Sequence, residues 1–549
     1  MNFIPENERC AKEGCAAGKI ARKIKERKQK LTARAGAELA AGAEERGERK
    51  KLVSGAAILG AGTFLAKIIG AAYRVPLTAL LGGAGIGLYQ LVFPVYTVLL
   101  DFSGAGAPSA LSKLIASGDK AGREERAKDY LFAGLKLFAA LGAAFSLFMF
   151  LFAKPLSAAQ GDENAYLSYA AISPAVFLVC LITPFRGYFQ GLANMKPTAI
   201  SQIIEQTVKL CFGLMIVKLF GGDTPRAAAG AAFAITVSEA AAAIYLFSVY
   251  KARQKRARLG GALLNGSTPA FCGAPINSGV PVNDGAPVGC GAPLNGETPA
   301  CGGEQIAKRE SGITAKLIKT AIPVTLLGII FPLCAFAESF IVINLLSGYK
   351  ENSTALYGLY SGVASTIAGL PAAVCYGVAA AAIPAVSAGK TKEKRKKNSA
   401  RAIALTLFLS LPAAAILYFF APNIINLLFR SLPQSEREIS SRLLKILAPS
   451  AALLSLLQTQ NAVLIAENKP YFAVLSMAIG AAVKISAEII LVKNPSFNVY
   501  GCAVAVIACY FCVDLVNFIA LQRKPVKLKA EGTANADTAD KNRESYRAE

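Results

Sequence analysis

The sequence predicts an all-α polytopic membrane protein: twelve transmembrane helices in two six-helix lobes related by a pseudo-two-fold axis along the membrane normal. Three observations predict it. Of 549 residues, 54% are hydrophobic and 17% charged, with mean hydropathy +0.43, too apolar for a soluble chain of this size. Apolar windows of the ~20 residues that cross a ~30 Å hydrocarbon core as helix recur twelve times along it. The second half of the chain also repeats the first.

The spans read, in order, 52–73, 86–108, 129–153, 165–185, 198–220, 227–249, 316–346, 355–388, 400–420, 441–465, 470–492 and 500–521. Helix is the default for each, because an open sheet edge cannot satisfy its backbone in lipid. The seventh and eighth are longer than a crossing needs. Each holds paired prolines (Pro323 and Pro332; Pro371 and Pro384), which predict bent or tilted helices rather than extra crossings. This divides the chain into a basic tail (1–51), a six-helix lobe (52–249), a Gly/Pro-rich linker (250–312), a second six-helix lobe (313–521) and a C-terminal tail (522–549).

The repeat is most visible between ISPAVFLVCLITPFRGYFQGLANMKPTAISQIIEQTVKL from Ile172 and LAPSAALLSLLQTQNAVLIAENKPYFAVLSMAIGAAVKI from Leu447. Pro174 and Pro449 are 275 residues apart, as are Lys209 and Lys484. More weakly, GLYQ at Gly87 is echoed by GLYS at Gly358, and Pro108 by Pro384. Six spans per half is an even number, so the halves share one orientation. Transporters built on such repeats bind substrate between the halves and rock them.

A net charge of +24 would suggest nucleic acid in a soluble protein, but here its placement decides otherwise. Basic residues crowd the N-terminal tail (ARKIKERKQK), the 2–3 loop, the segment after span six (KARQKRAR) and the 8–9 loop (GKTKEKRKKNSAR). All fall on one side, and the opposite connections are poor in charge, the richest carrying Arg430, Arg437 and Arg442 after span nine. By the positive-inside rule both termini are cytoplasmic. The first 50 residues hold no apolar core of signal-peptide type. The tail reads as solvated, with a helix lying on anionic lipid as the alternative. The linker repeats Gly-(Ala/Val)-Pro units at Gly273, Gly279, Gly285 and Gly291, a composition that cannot pack a core.

Several chemistries are excluded or unsupported. The chain has no histidine, no Walker loop and no second CxxC at zinc-site spacing beside Cys509 and Cys512, so neither a metal nor any other cofactor is expected and no enzyme activity is indicated. The scattered cysteines read as small packing residues.

Charges inside the spans carry the functional reading, since each costs several kcal/mol in hydrocarbon unless it faces a cavity or a partner. On a helical wheel Gly60, Thr63, Lys67, Gly70, Ala71 and Arg74 share one face of span one, with Ile58, Leu65 and Ile69 opposite. Arg74, near the helix end, can snorkel to the interface, whereas Lys67 lies roughly two thirds of the way across at ~1.5 Å per residue. Span five carries Glu205 and Lys209, and span eleven Lys484 and Glu488, each pair at i,i+4 and able to neutralise itself. Asp101, Glu239, Glu338 and Asp514 are single acids, suited to pair with bases or to carry ions, and Arg186 sits near the inner end of span four. Among these named charges, acids outnumber bases.

GAGTFLAKIIGAAYRVPLTALLGGAGIGLYQLVFPVYTVLLDFSGAGAPSALSKLIA, together with PFRGYFQGLANMKPTAISQIIEQTVKL, resembles the stage V sporulation protein B group of bacterial polysaccharide biosynthesis proteins. That group is similar to the lipid II flippases, within the superfamily of multidrug and oligosaccharidyl-lipid exporters. The resemblance covers about residues 52–521. It implies a flippase of the bacterial inner membrane that carries an undecaprenyl-pyrophosphate-linked saccharide from the inner to the outer leaflet, driven by an ion gradient or the membrane potential. In flippases of this kind, bases on the first helix line the cavity and attract the pyrophosphate, and Lys67 and Arg74 occupy those places. With the other bases in or beside the spans, the candidate substrate-binding set is Lys67, Arg74, Arg186, Lys209 and Lys484. The ion-coupling or charge-pairing set is Asp101, Glu205, Glu239, Glu338 and Glu488, with a proton or sodium ion as coupling partner. The chain ends after twelve spans, whereas the lipid II flippases add two helices that form a lipid groove. Two other functions share the architecture or the membrane: a cation-coupled multidrug antiporter, which would want an acid on span one, and a scaffold that recruits cell-wall synthases through the tail and linker.

Overall fold

The computed structural model describes residues 58–102, 106–116, 123–265, 313–318, 320–321, 325, 328–387, 391–467 and 469–522. The basic tail, most of the Gly/Pro linker, Pro323 and the C-terminal tail lie outside the described residues. Within them the chain is helical. Ten helices are long and apolar enough to cross a membrane, and a bent pair makes an eleventh. It is a multi-pass membrane protein.

Ten of these eleven segments match the expected spans three to twelve one to one. Spans one and two, expected as separate helices, instead form a single helical run, Ile58–Leu100, of 43 residues, about twice the length of a crossing. Gly82, at φ 66°, is left-handed within it, at the place where the sequence predicts a loop. Glycine tolerates this conformation at no steric cost, so the chain is redirected without breaking the helix assignment. The run stops at Leu100, short of the expected end. Pro108 instead stands in the first turn of a separate helix, Ala107–Ala116, where its missing N–H is not needed.

The eighth span is bent by 44° between Ser353–Ala368 and Leu370–Ala379, at Gly369 and Pro371, as the paired prolines predict. A short π-helical stretch, Leu359–Ala364, precedes the bend. The sixth span continues to Asn265, so KARQKRAR is helical rather than the start of a linker.

Each half is organised around one long helix. Tyr166–Gly191 packs against Ala107–Ala116, Arg123–Leu151 and Thr224–Asn265. Its repeat partner, Gln434–Ala466, packs against Leu370–Ser387, Lys392–Phe419 and Tyr500–Gln522. Lipid tails are as apolar as leucine, so hydrophobicity does not hold such helices together; close packing and interhelical hydrogen bonds do.

The halves are clasped on the side of the charge-poor connections. The two GLY motifs meet: a Cβ on Gly358 would stand 2.5 Å from the backbone nitrogen of Gly87, a separation only glycine allows. The residues that follow pair as well, Gln90 Nε2 donating to Ser361 Oγ at 3.2 Å. Around them the Gly83 N–H donates to Glu436 Oε2 at 3.1 Å, Thr354 Oγ1 to Asp162 Oδ2 at 2.7 Å, and Gln160 Nε2 to Ser339 Oγ at 2.9 Å.

Candidate functional site

Span one and span five run side by side and in the same direction. A Cβ on Gly62 would meet Ala199 and one on Gly213 would meet Tyr73, and Thr63 Oγ1 donates to Gln202 Oε1 at 2.8 Å. Thr63, Lys67, Gly70 and Arg74 fall at i, i+4, i+7 and i+11, and Gln202, Gln206 and Lys209 at i, i+4 and i+7. Two polar helical stripes therefore share one space.

That space is a cavity of about 570 Å³ between the halves. The first half contributes Lys67, Arg74, Arg186, Glu205 and Lys209 to its wall, and the second half residues of spans eight and ten, among them Thr366, Leu370 and Gln458. Four bases face one carboxylate. Glu205 is already engaged: Arg186 Nη2 pairs with its Oε2 at 3.1 Å, and Gln206 Nε2 donates to its Oε1 at 2.8 Å. The expected Glu205–Lys209 self-pair thus gives way to a contact between spans four and five, and Lys209 Nζ lies 6.0 Å from the centre of the Tyr73 ring.

The remaining cations have no carboxylate partner among the described residues. Lys67 Nζ stands 4.2 Å from the centroid of the Tyr376 ring, and Arg74 Nη1 donates to Thr366 Oγ1 at 2.5 Å. Both contacts cross from the first half to the second. Asp101, one of the single acids suited by sequence to pair with a base such as Lys67, does not line the cavity; it is half-buried in the π-helical end of span two. Although acids outnumber bases among the charges singled out in the sequence, location reverses the balance where the cavity lies.

Lys484 lines a second, smaller cavity of about 200 Å³ that shares Ser365, Gly369 and Leu454 with the first. There it pairs with Glu338 Oε2 at 2.5 Å and, as the i,i+4 spacing predicts, with Glu488 Oε1 at 3.6 Å. Tyr360 Oη donates to Glu338 Oε1 at 2.8 Å. Two carboxylates thus share one ammonium, with Glu488 fully buried.

Glu239 is buried outside both cavities, with Oε2 unpartnered among the described residues. Its counterpart 275 residues on is Asp514, buried likewise with Oδ2 unpartnered. The repeat spacing relates these two acids, although the sequence reading treats them as unrelated. Cavity residues that it missed are polar but uncharged: Gln202, Gln206, Thr366 and Gln458, together with Tyr376 against Lys67. The i, i+4, i+7 stripe on span five is the signal that would have found the glutamines.

Two family models match the chain: "Polysaccharide biosynthesis protein" over residues 52–263 and "Lipid II flippase MurJ" over residues 297–537. Stage V sporulation protein B of Bacillus subtilis (strain 168) is 26% identical over 491 residues, covering 88% of this chain and 86% of that protein. Over most of its length the chain is thus similar to stage V sporulation protein B and to the lipid II flippases. Among solved structures, an inward-facing multidrug resistance MATE family transporter of the MOP superfamily aligns with TM-score 0.61 at 16% identity, covering 83% of this chain and 93% of the other. The lipid II flippase MurJ in an inward closed conformation aligns with TM-score 0.59 at 15% identity, covering 85% and 88%. At these identities the structural likeness establishes the shared fold. Drug exporters and lipid flippases both use this fold, so the character of the cavity has to separate them.

Proposed function

We propose that this protein is a flippase of the bacterial cytoplasmic membrane. It moves an undecaprenyl-pyrophosphate-linked saccharide, a lipid II-like or other cell-envelope precursor, from the inner to the outer leaflet. The observation that carries the reading is the cavity between the lobes, where Lys67, Arg74, Arg186 and Lys209 face the single, already paired Glu205.

A pyrophosphate cannot cross hydrocarbon unaided, so a flippase needs a wet cationic chamber for the headgroup and a lateral path for the tail. Lys67 and Arg74 are held by an aromatic face and a hydroxyl, contacts that an anionic ligand can replace at little cost. Arg186, fixed by Glu205 and Ser201, positions the wall opposite. Both termini and the basic loops face the cytoplasm in this reading. The clasp at Gly87 and Gly358 then lies on the outer side, and the conformation is closed outward. Export requires that the clasp open while the contacts of Lys67 and Arg74 with the second half rearrange, which is alternating access by rocking of the lobes.

The coupling ion acts at the Glu338–Lys484–Glu488 cluster. Two acids on one base leave a carboxylate in excess, which a proton or sodium ion neutralises, and the shared wall with the main cavity links that event to substrate. Glu239 and Asp514 are the symmetric reserve sites.

A multidrug antiporter has the same fold but exchanges organic cations, which this cavity repels. Lys67→Ala in reconstituted vesicles separates the two. Loss of lipid-linked precursor flipping with no change in dye tolerance of the host supports the flippase. Retained flipping with lost dye tolerance supports the antiporter instead.

A further inference from the structure

The richest charge on the charge-poor side, after span nine, has no part in the central cavity. It surrounds a groove of about 420 Å³ lined by Pro422, Asn426, Gln434, Arg437, Glu438, Ser441, Arg442 and Lys445, of which the argument uses the three bases. None of the three has a carboxylate within 4 Å among the described residues. The groove's own acid, Glu438, is exposed and accepts instead from Gln434 Nε2 at 3.2 Å. Arg437 is half-buried: its Nη1 donates to Asn426 Oδ1 at 3.2 Å, while its Nε is shielded from solvent without a partner. Arg442 and Lys445 project from the same helix and are exposed.

The groove also has a defined depth. Its far wall belongs to the short helix Ala421–Leu428, which turns Leu427 outward at 80% exposure directly after the exposed Phe419 and Phe420. A short helix with aromatic and aliphatic side chains on its outer face and polar groups on its inner face lies at the membrane interface. The near wall is the first turns of Gln434–Ala466, whose N-terminus has no side-chain cap and adds partial positive charge. Three unneutralised bases at headgroup level, on the side where bases are scarce, call for an anion held there.

We propose that this groove binds the phosphate group of a lipid with a net-anionic headgroup in the outer leaflet. The inference takes from the proposed function only the side of the membrane. Bidentate geometry at Arg437 and Arg442 and point charge at Lys445 suit a phosphate ester or pyrophosphate.

The test is native mass spectrometry of the full-length protein, titrated in separate arms with phosphatidylglycerol, undecaprenyl pyrophosphate, phosphatidylcholine and inorganic phosphate. All arms use the Lys67→Gln background so that the central cavity does not dominate. The double variant Arg442→Gln/Lys445→Gln, altered only at exposed side chains, is expected to lose at least about fivefold in affinity for each base removed, with no change for phosphatidylcholine. Loss with phosphatidylglycerol alone assigns a bulk membrane lipid, and loss with undecaprenyl pyrophosphate alone assigns the delivered substrate. Equal affinity for phosphatidylglycerol, undecaprenyl pyrophosphate and phosphatidylcholine in the parent overturns the proposal, as does an unaltered double variant or binding of inorganic phosphate only. A maleimide that cannot cross membranes, applied to whole cells carrying Arg430→Cys, checks the side; labelling only after lysis removes the outer-leaflet assignment. Because the readout is binding, a flipping defect or its absence leaves this result separately interpretable.

Discussion

At the scale of single residues, Lys67 and Arg74 differ in what they can give a headgroup. Arg74 presents a fixed fork and now holds Thr366, whereas Lys67 is a point charge over Tyr376. Arg74→Lys should keep attraction but lose bidentate geometry. A charge-assisted hydrogen bond is worth about 1.5–3 kcal/mol, so Arg74→Ala should slow flipping by roughly 10- to 100-fold, with Arg74→Lys between it and the parent. Initial rates in proteoliposomes check the order. Lys484 is a different case, because its removal leaves Glu338 and Glu488 buried side by side. Breaking such a cluster costs about 3–5 kcal/mol. Lys484→Ala should lower the melting temperature in detergent clearly, and Glu338→Gln in the same chain should restore part of it. Lys67 was legible in the sequence because charge in an apolar run is expensive and the wheel shows its face. Its lack of an acidic partner was not, since that depends on where Asp101 ends up after the helix turns at Gly82.

At the scale of elements, most spans were readable to a few residues, because apolar length and proline position are local. Two features were not. The fusion of spans one and two depends on a single left-handed glycine, and no apolar window distinguishes that from a loop. The exchange of partners by Glu205, from Lys209 on its own helix to Arg186 on span four, depends on helix rotation, which spacing does not fix. The GLYQ and GLYS echo was visible as a weak repeat, and the structure gives it a reason: the copies touch at the pseudo-two-fold axis. Gly358→Val should force this contact open, since a Cβ there would lie 2.5 Å from a backbone nitrogen. Spin labels placed near Asp162 and Thr354 should move apart in that variant by double electron–electron resonance, while an unchanged distance would mean that the clasp yields elsewhere.

At the scale of the whole molecule, the repeat imposes two lobes and then breaks its own symmetry to make a site. Lys209 opens onto the main cavity, while Lys484, its counterpart, is locked between two acids in the smaller one. One lobe thereby supplies free positive charge and the other a paired acid–base cluster beside it, the division of labour that the proposed substrate binding and ion coupling require. Deleting residues 1–45 and 262–303 should leave transport intact if the lobes alone carry function, whereas a scaffold would lose its activity. The central claim is that the cavity selects a pyrophosphate headgroup. The most direct measurement compares initial flipping rates, in proteoliposomes of the unaltered protein, for an undecaprenyl-pyrophosphate-linked saccharide and for the same polyprenyl saccharide lacking phosphate. The account predicts flipping of the first and background rates for the second; equal rates for both, or transport of organic cations in place of either, would contradict it.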